Sequence, residues 1–365
     1  MPLGKSGLDG QCSGPREPEA PSMNLPFPRN DETIDDLLHR AADARADFPY
    51  CRFEGETVAL GDLSRRVAQL AGALDRLGLA RDERVAVMLG NHPHYITTFF
   101  ALIRIGVCQV PLNIHLRGDG LAYQLRQTEP SAIVADWDVR DQILPALGEV
   151  KPRHIVWLGR PAGEAADGDH DLERLLTDTG PPLERRAARA DDVRLIMFTS
   201  GTTGPAKGAM LTDCMLRVSG WAAALSSDVR PGDVFFLWEP LYHIGGCQVL
   251  ITALMERATI ALVERFSASR FWDQVRETGS TQIHFFGGIL AILLKEPPNT
   301  RDRDHKARVA WGANCPPAIW RAFQSRFGTR MREAYGMTEA SSFTSINSDE
   351  KMGSVGRPLP YFEVR

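Results

Sequence analysis

From residue 60 onward, short apolar runs alternate with amphipathic stretches, and this alternation leaves the chain few architectures to choose from. Leu60, Leu63, Val67, Leu70, Leu74 and Leu77 recur at intervals of three and four, which is one face of a helix, and Gly78 supplies its stop. Arg84 to Leu89 reads as a short buried strand ending at Gly90 and Asn91. Pro93 in a first turn and Gly106 past a last one predict a second helix over Pro93 to Ile105. Val107 to Leu112, Ala132 to Ala135 and His154 to Leu158 read as further strands, with helical or turn material between them. The pattern resumes with strands near 193–199, 233–238, 258–263, 281–286 and 307–311, and helices near 213–226, 268–278, 288–295 and 316–327. Such alternation predicts an α/β fold of mostly parallel sheets covered by helices.

At 365 residues the chain exceeds what one hydrophobic core usually organises, and two or more structural units are expected. Residues 1–30, rich in Gly, Pro, Ser and Glu, bury too little apolar surface to offset ordering entropy and are expected to form a flexible tail. Between 159 and 192 the apolar periodicity weakens around one short turn at Leu172, Leu175 and Leu176, which sets the expected boundary: a first subdomain over 31–185, a second over 186–365.

The net charge of −4 argues against a nucleic-acid partner. The longest nearly apolar stretch, Tyr95 to Leu112, is interrupted by Arg104, Gln109 and threonines, so no membrane span is expected. Six scattered cysteines without a C-x-x-C pair fit neither a zinc knuckle nor a disulfide framework, and no secretory leader is expected. Reduced thiols in the cytoplasm are the expectation.

The sharpest segment is T-S-G-T-T-G-P-A-K-G over 199–208, directly after the apolar run Val193 to Met197. Glycines 201 and 204 free the backbone to aim N–H groups at an anion. Ser200, Thr202 and Thr203 add hydroxyl donors, and Lys207 adds positive charge, so phosphate is the natural guest. Ala206 before the lysine and Gly208 after it depart from the Walker A pattern, which counts against kinases and GTPases. A plain Ser/Thr/Gly turn is the bland alternative. Two further segments carry polar residues: W-E-P-L-Y-H-I-G-G over 238–246 and R-E-A-Y-G-M-T-E over 332–339. Alone, His243 reads as a satisfied core histidine, and Thr338-Glu339 as a helix cap.

Together these segments resemble the adenylate-forming superfamily of acyl-CoA synthetases, luciferases and peptide-synthetase adenylation domains. Its loop reads T-S-G-[ST]-T-G-x-P-K-G; here proline comes one place early, at Pro205. The 238–246 segment is similar to the family's P-L-x-H, and 332–339 matches its Y-G-x-T-E. W-G-A-N-C-P-P over 311–317 resembles the G-G-A-P-L loop with Trp311 in place of the first glycine, and 353–360 resembles the run before the last strands of the large domain. The segments stand in family order, and the resemblance covers about residues 31–365, most closely in the manner of the crotonobetaine/carnitine-CoA ligase branch.

The resemblance implies two βα subdomains of the family's large domain and an ATP-dependent acid–CoA ligase. ATP, Mg²⁺ and coenzyme A would be its small-molecule partners beside the carboxylic acid. Lys207, His243, Thr338 and Glu339 would be catalytic. Nucleotide would lie against Thr199, Ser200, Gly201, Thr202, Thr203, Gly204, Lys207, Gly312, Ala313, Asn314, Glu333, Ala334, Tyr335, Gly336 and Thr338. The acid would meet Trp238, Tyr242, His243, Phe286, Gly287, Trp311 and Gly312, and Glu339 would hold the metal.

A trimethylammonium acid would favour an aromatic cage from Trp238, Tyr242, Phe285, Phe286, Trp311 and Phe343; short- or medium-chain acids suit the same walls. The family's small carboxy-terminal domain, with its lysine and hinge, would follow the position matched by Arg365, so the chain is expected to be a fragment or a truncated gene product that adenylates poorly. A luciferase-like oxidase and a non-catalytic nucleotide-binding or scaffold protein stay open. A Rossmann dehydrogenase is disfavoured, because no G-x-G-x-x-G follows a strand with an acidic residue about twenty positions on.

Overall fold

The computed structural model describes residues 27–29, 31–164, 166, 168–199, 204–360 and 362–363. Two sheets organise them. The smaller has seven strands in the order Asp169–Asp171, His154–Leu158, Ala132–Asp136, Arg84–Met88, Cys108–Pro111, Val193–Thr199, Lys207–Thr212. The larger has nine, in the order Arg357–Pro358, Ser342–Ile346, Arg330–Met337, Val309–Ala313, Gln282–Phe286, Val234–Leu237, Thr259–Leu262, Pro49–Phe53, Glu56–Ala59. Both are parallel inside and antiparallel only toward their edges, as strands joined by crossover helices require.

Strand periodicity sorts the side chains into three apolar layers. Val85 and Val87 of the smaller sheet and Phe235 and Leu237 of the larger share one central core with helices Ile34–Ala44, Leu60–Arg76, Pro93–Ile105, Asp213–Ser227 and Ile244–Glu256. The alternate residues face outward: Ala86 and Met88 toward helices Gly118–Thr128 and Arg140–Leu147, Phe236 and Ile283 toward Phe271–Thr278 and Pro317–Phe327. The result is helices between two sheets and helices outside each.

Local signals set most helix ends. Pro93 opens its helix behind the His92 N-cap, whose Nδ1 accepts from the His94 N–H at 3.1 Å, and Gly106 closes it at φ 87°. Thr212 caps Asp213–Ser227 by accepting from the Met215 N–H at 3.2 Å. The helix Ile244–Glu256 lies outside the sequence expectation because Ile244 to Leu254 are all buried, so no polar face marks its period.

The expected division at 185/186 does not hold. Strands 49–53 and 56–59 belong to the larger sheet, where Cys51 lies opposite Ile260; strands 193–199 and 207–212 belong to the smaller, where Gln109 lies opposite Leu195. Thr259–Leu262 is buried throughout and needs a covered edge, which the 49–59 hairpin supplies. The segment expected to hold the boundary is bonded to helix Leu60–Arg76: the Leu183 N–H donates to Ala68 O at 3.0 Å, and Arg76 Nη1 to Pro181 O at 2.9 Å. Most of the expected tail lies outside the described residues, but its end is anchored, with Phe27 edge-on to Trp221 at 5.3 Å and Arg217 Nη1 donating to Arg29 O at 2.6 Å. No described helix is long and apolar enough to cross a membrane.

Candidate active site

A cavity of about 910 Å³ opens at the carboxyl ends of strands from both sheets, where parallel sheets place ligands. Its first wall is the hairpin formed by strands Val193–Thr199 and Lys207–Thr212. Thr199 stands opposite Lys207 across the register, so both ends of the glycine-rich loop meet the cavity with the exposed Lys207 amine beside it. Ser200, Gly201, Thr202 and Thr203 lie outside the described residues; Gly204 is exposed.

The second wall is the hairpin Arg330–Met337 and Ser342–Ile346. Its 3₁₀ turn Thr338–Ala340 carries Thr338 and the exposed Glu339 to the cavity. Thr199 Oγ1 donates to Glu339 Oε1 at 2.8 Å, joining the two sheets across the cavity. Gly336 makes the tight hairpin possible: a Cβ there would stand 1.6 Å from Ser342 O. Tyr335 is half exposed, while Ala334 is buried. Glu333 points under the 311–317 loop, where its Oε1 accepts the Cys315 N–H at 2.7 Å; burial raises its pKa despite that donor and the Asn314 N–H.

The third wall is the turn into helix Ile244–Glu256. His243 is the N-cap, its Nδ1 accepting the Gly245 N–H at 3.2 Å, which leaves the neutral ring's proton on Nε2. Its ring reaches solvent through the mouth, yet the enclosing walls lower its pKa by desolvation, with Glu239 opposing and His284 adding to the shift. A Cβ on Gly245 would stand 3.4 Å from His243 Nδ1, His284 Cε1 and Phe286 Cζ alike, so three rings converge on the bare backbone. Burial raises the pKa of Tyr242, beside His243. Asn91, in the loop after strand Arg84–Met88 of the smaller sheet, holds this turn: its Nδ2 donates to Glu239 O at 2.9 Å and Val263 O at 3.1 Å, and its Oδ1 accepts the Leu241 N–H at 2.9 Å.

Of the expected site residues, Thr199, Lys207, Tyr242, His243, Phe286, Ala313, Gly336, Thr338 and Glu339 line this cavity. Trp238, Gly287, Trp311 and Gly312 do not. Trp311 is buried against the His284 ring at 4.3 Å between centroids, and Trp238 Nε1 donates to His284 O at 3.0 Å, so both back the wall from one layer behind. Phe285 alternates into the outer core, leaving Tyr242, Phe286 and Phe343 as the expected cage aromatics on the cavity. Gly287 and Gly312 act by smallness: Cβ atoms there would stand 1.7 Å from Asn314 O and 1.8 Å from Phe285 O. Asn314 is exposed at φ 63° in the turn after Val309–Ala313.

Sequence reasoning passed over Asn91, Glu239, Gln248, His284 and Ser342. The available signal was a charged or polar residue inside an otherwise apolar run, as at His284 within Gln282–Phe286. No group of three or more His, Cys, Asp or Glu able to hold a metal exists among the described residues, so Glu339 is a lone hard carboxylate oxygen.

The AMP-binding enzyme family matches residues 38–365. Long-chain fatty acid transport protein 6 of Mus musculus is 32% identical over 324 residues, 86% of this chain and 51% of that protein. The crotonobetaine/carnitine–CoA ligase of Salmonella paratyphi B is 31% identical over 315 residues, 84% of this chain and 60% of that protein. The chain thus spans about half the length of the curated relatives it matches. A long-chain-fatty-acid–CoA ligase from Archaeoglobus fulgidus shares the fold at a TM-score of 0.81 and 19% identity, covering 92% of this chain and 70% of that one. With a cavity bounded by Thr199 and Lys207, the histidine turn and the Thr-Glu turn, and with the family match running over residues 38–365, the chain belongs to the AMP-binding enzymes.

Proposed function

We propose that the protein activates a carboxylic acid as its acyl-adenylate, as the first half of an AMP-forming acid–CoA ligase reaction. The observation that carries this is the Thr199–Glu339 bond, which brings the phosphate-type loop and the Thr-Glu turn to one cavity with His243 on its far wall. The acid oxygen attacks the α-phosphorus of ATP, the bond to the bridging oxygen breaks, and pyrophosphate leaves. That step sets a carboxylate against a polyanion, so it needs charge and N–H donors held in place beforehand. Lys207 supplies the cation, Thr338 a hydroxyl donor to the α-phosphate, and His243 an Nε2–H toward the acid. Glu339 offers one hard oxygen of the kind Mg²⁺ takes alongside phosphate oxygens and water, and the ion when bound would offset phosphate charge. Tyr335, half exposed and next in the chain to the cavity-lining Gly336, suits an adenine face.

The acyl-adenylate would then pass to the thiol of coenzyme A, AMP leaving. Tyr242, Ile244, Phe286 and Phe343 give the acid end an apolar wall, which suits short- or medium-chain acids or a crotonobetaine/carnitine-like acid. The test is acid-dependent exchange of labelled pyrophosphate into ATP by this chain over an acid panel, with ATP binding measured by calorimetry. Exchange that rises with one class of acid supports the reading, even at a low rate. ATP binding with no acid-dependent exchange would instead identify a non-catalytic nucleotide-binding protein.

A further inference from the structure

Asn91 does not line the cavity, yet it is bonded to the turn that brings His243 there, and its chain neighbours hold it in place. The Gly90 N–H donates to Asp136 Oδ2 at 2.7 Å. His92 caps helix Pro93–Ile105 and packs edge-on against Phe53, with ring centroids 5.1 Å apart. The residues on either side of Asn91 are therefore fixed by other elements, and its buried amide is presented to the larger sheet from a set position.

The amide meets the place where two parallel strands part. Val234–Leu237 and Thr259–Leu262 pair as far as Leu237 opposite Leu262, and the Val263 N–H continues the ladder to Leu237 O at 3.0 Å. Beyond that point Glu239 O and Val263 O each accept from Asn91 Nδ2, while Oδ1 accepts the Leu241 N–H. Two carbonyls on one side and an N–H on the other fix which way the amide points. Asparagine supplies both donors and the acceptor from one short side chain; an ionised aspartate has no donor, serine has one and alanine none.

From Leu241 to His243 is a step of two residues. The His243 N–H donates to Pro240 O at 3.0 Å, and Gly246 closes on the same carbonyl, where a Cβ would stand 2.5 Å away. The His243 backbone is thus set from both ends: by Asn91 at Glu239 and Leu241, and by the first turn of the helix at Pro240.

We infer that Asn91 is a positioning residue for His243: from the smaller sheet, its amide sets where the histidine's Nε2–H meets the carboxylate of the acid. The inference rests on the ligase reading above. A displacement of about 1 Å in a group that orients a reactant costs up to about a hundredfold, so loss of the clamp is felt at the acid without any contact between Asn91 and the acid.

The test compares wild type, Asn91→Ala, His243→Ala and the double variant in pyrophosphate exchange, with octanoate and crotonobetaine as probe acids. Asn91→Ala is expected to raise the half-saturating acid concentration about tenfold, while the affinity for α,β-methylene ATP, read by calorimetry, stays within about twofold. On the His243→Ala background the same substitution should add less than about twofold, because the residue it acts through is gone. Asn91→Asp is the milder change and decides alone should Asn91→Ala fail to fold. It keeps an oxygen for the Leu241 N–H, and burial against two carbonyls favours its protonated form, which restores one donor. Its acid half-saturation, relative to wild type at the same pH, should therefore lie nearer one at about pH 6 than at about pH 8.

A second readout needs no acid. Burial lowers the pKa of His243, with Glu239 opposing and His284 adding to the shift. By nuclear magnetic resonance, with the ring signal assigned against His243→Ala, the midpoint in Asn91→Ala should move up toward the ordinary value of about 6.5. An unmoved midpoint overturns the inference, as do equal losses from Asn91→Ala with and without His243, or an Asn91→Asp that matches wild type at both pH values. Wild type that exchanges with no acid of the panel removes the ligase reading; a midpoint that moves then still upholds the anchoring of His243, and one that does not overturns that as well.

Discussion

Lys207 and Glu339 are exposed at the cavity and carry no part of the core, so their loss should be felt in chemistry and not in folding. Lys207→Ala and Glu339→Gln are each expected to lower acid-dependent pyrophosphate exchange by about a hundredfold or more, with thermal midpoints unchanged by calorimetry; an unchanged exchange rate in both would remove them from the site. Asn91 is a buried amide making three bonds between the sheets. Asn91→Ala should cost about 3 kcal/mol by urea unfolding, because Glu239 O, Val263 O and the Leu241 N–H lose their partner in a dry setting.

His94 offers a pH test at this same scale. Burial, with His92 and Arg66 adding to it, pushes its pKa down to about 4. The unfolded chain, titrating near the ordinary value of about 6.5, then binds more protons than the folded one between the two values. The stability His94 contributes is full above that window and is lost as pH falls through it. A ring titration by nuclear magnetic resonance should show a midpoint near 4; one at the ordinary histidine value would contradict the burial.

Among the elements, the hairpin of 330–337 and 342–346 is the least tolerant, because it carries Thr338 and Glu339 on a turn that closes over Gly336. Gly336→Ala would force a methyl against Ser342 O, placed 1.6 Å away in the present backbone. The hairpin must open, and the 3₁₀ turn moves with it. Pyrophosphate exchange should fall at least tenfold, of the size a displacement of reacting groups produces, while ATP analogue binding measured by calorimetry weakens in parallel. Elements with a polar face or a stop residue, such as Leu60–Arg76 and Pro93–Ile105 with Gly106, were readable in advance. Ile244–Glu256 was not, since a helix enclosed on every side has no periodic contrast to read.

The whole molecule is joined by exchange: an early hairpin completes the sheet built mostly from later residues, and two later strands complete the sheet built from earlier ones. A chain cut to 186–365 would leave the buried strand Thr259–Leu262 with an open edge and the central helices without partners. It should be recovered as aggregate or lack cooperative unfolding by circular dichroism, whereas two independent halves would each unfold cooperatively. The α/β class, the strand and helix spacing and the three site segments could all be read along the chain, because hydrophobic period, capping residues and glycine-rich loops are local properties. Which strands pair, that Trp238, Phe285 and Trp311 turn away from the cavity, and that Gln248 and His284 line it while Glu239 bonds to His284 and Asn91 to Glu239 were decided only on folding. Those facts depend on contacts between residues 150 or more positions apart, as between Asn91 and Leu241, and on which face of a strand packs inward, neither of which a one-dimensional pattern encodes.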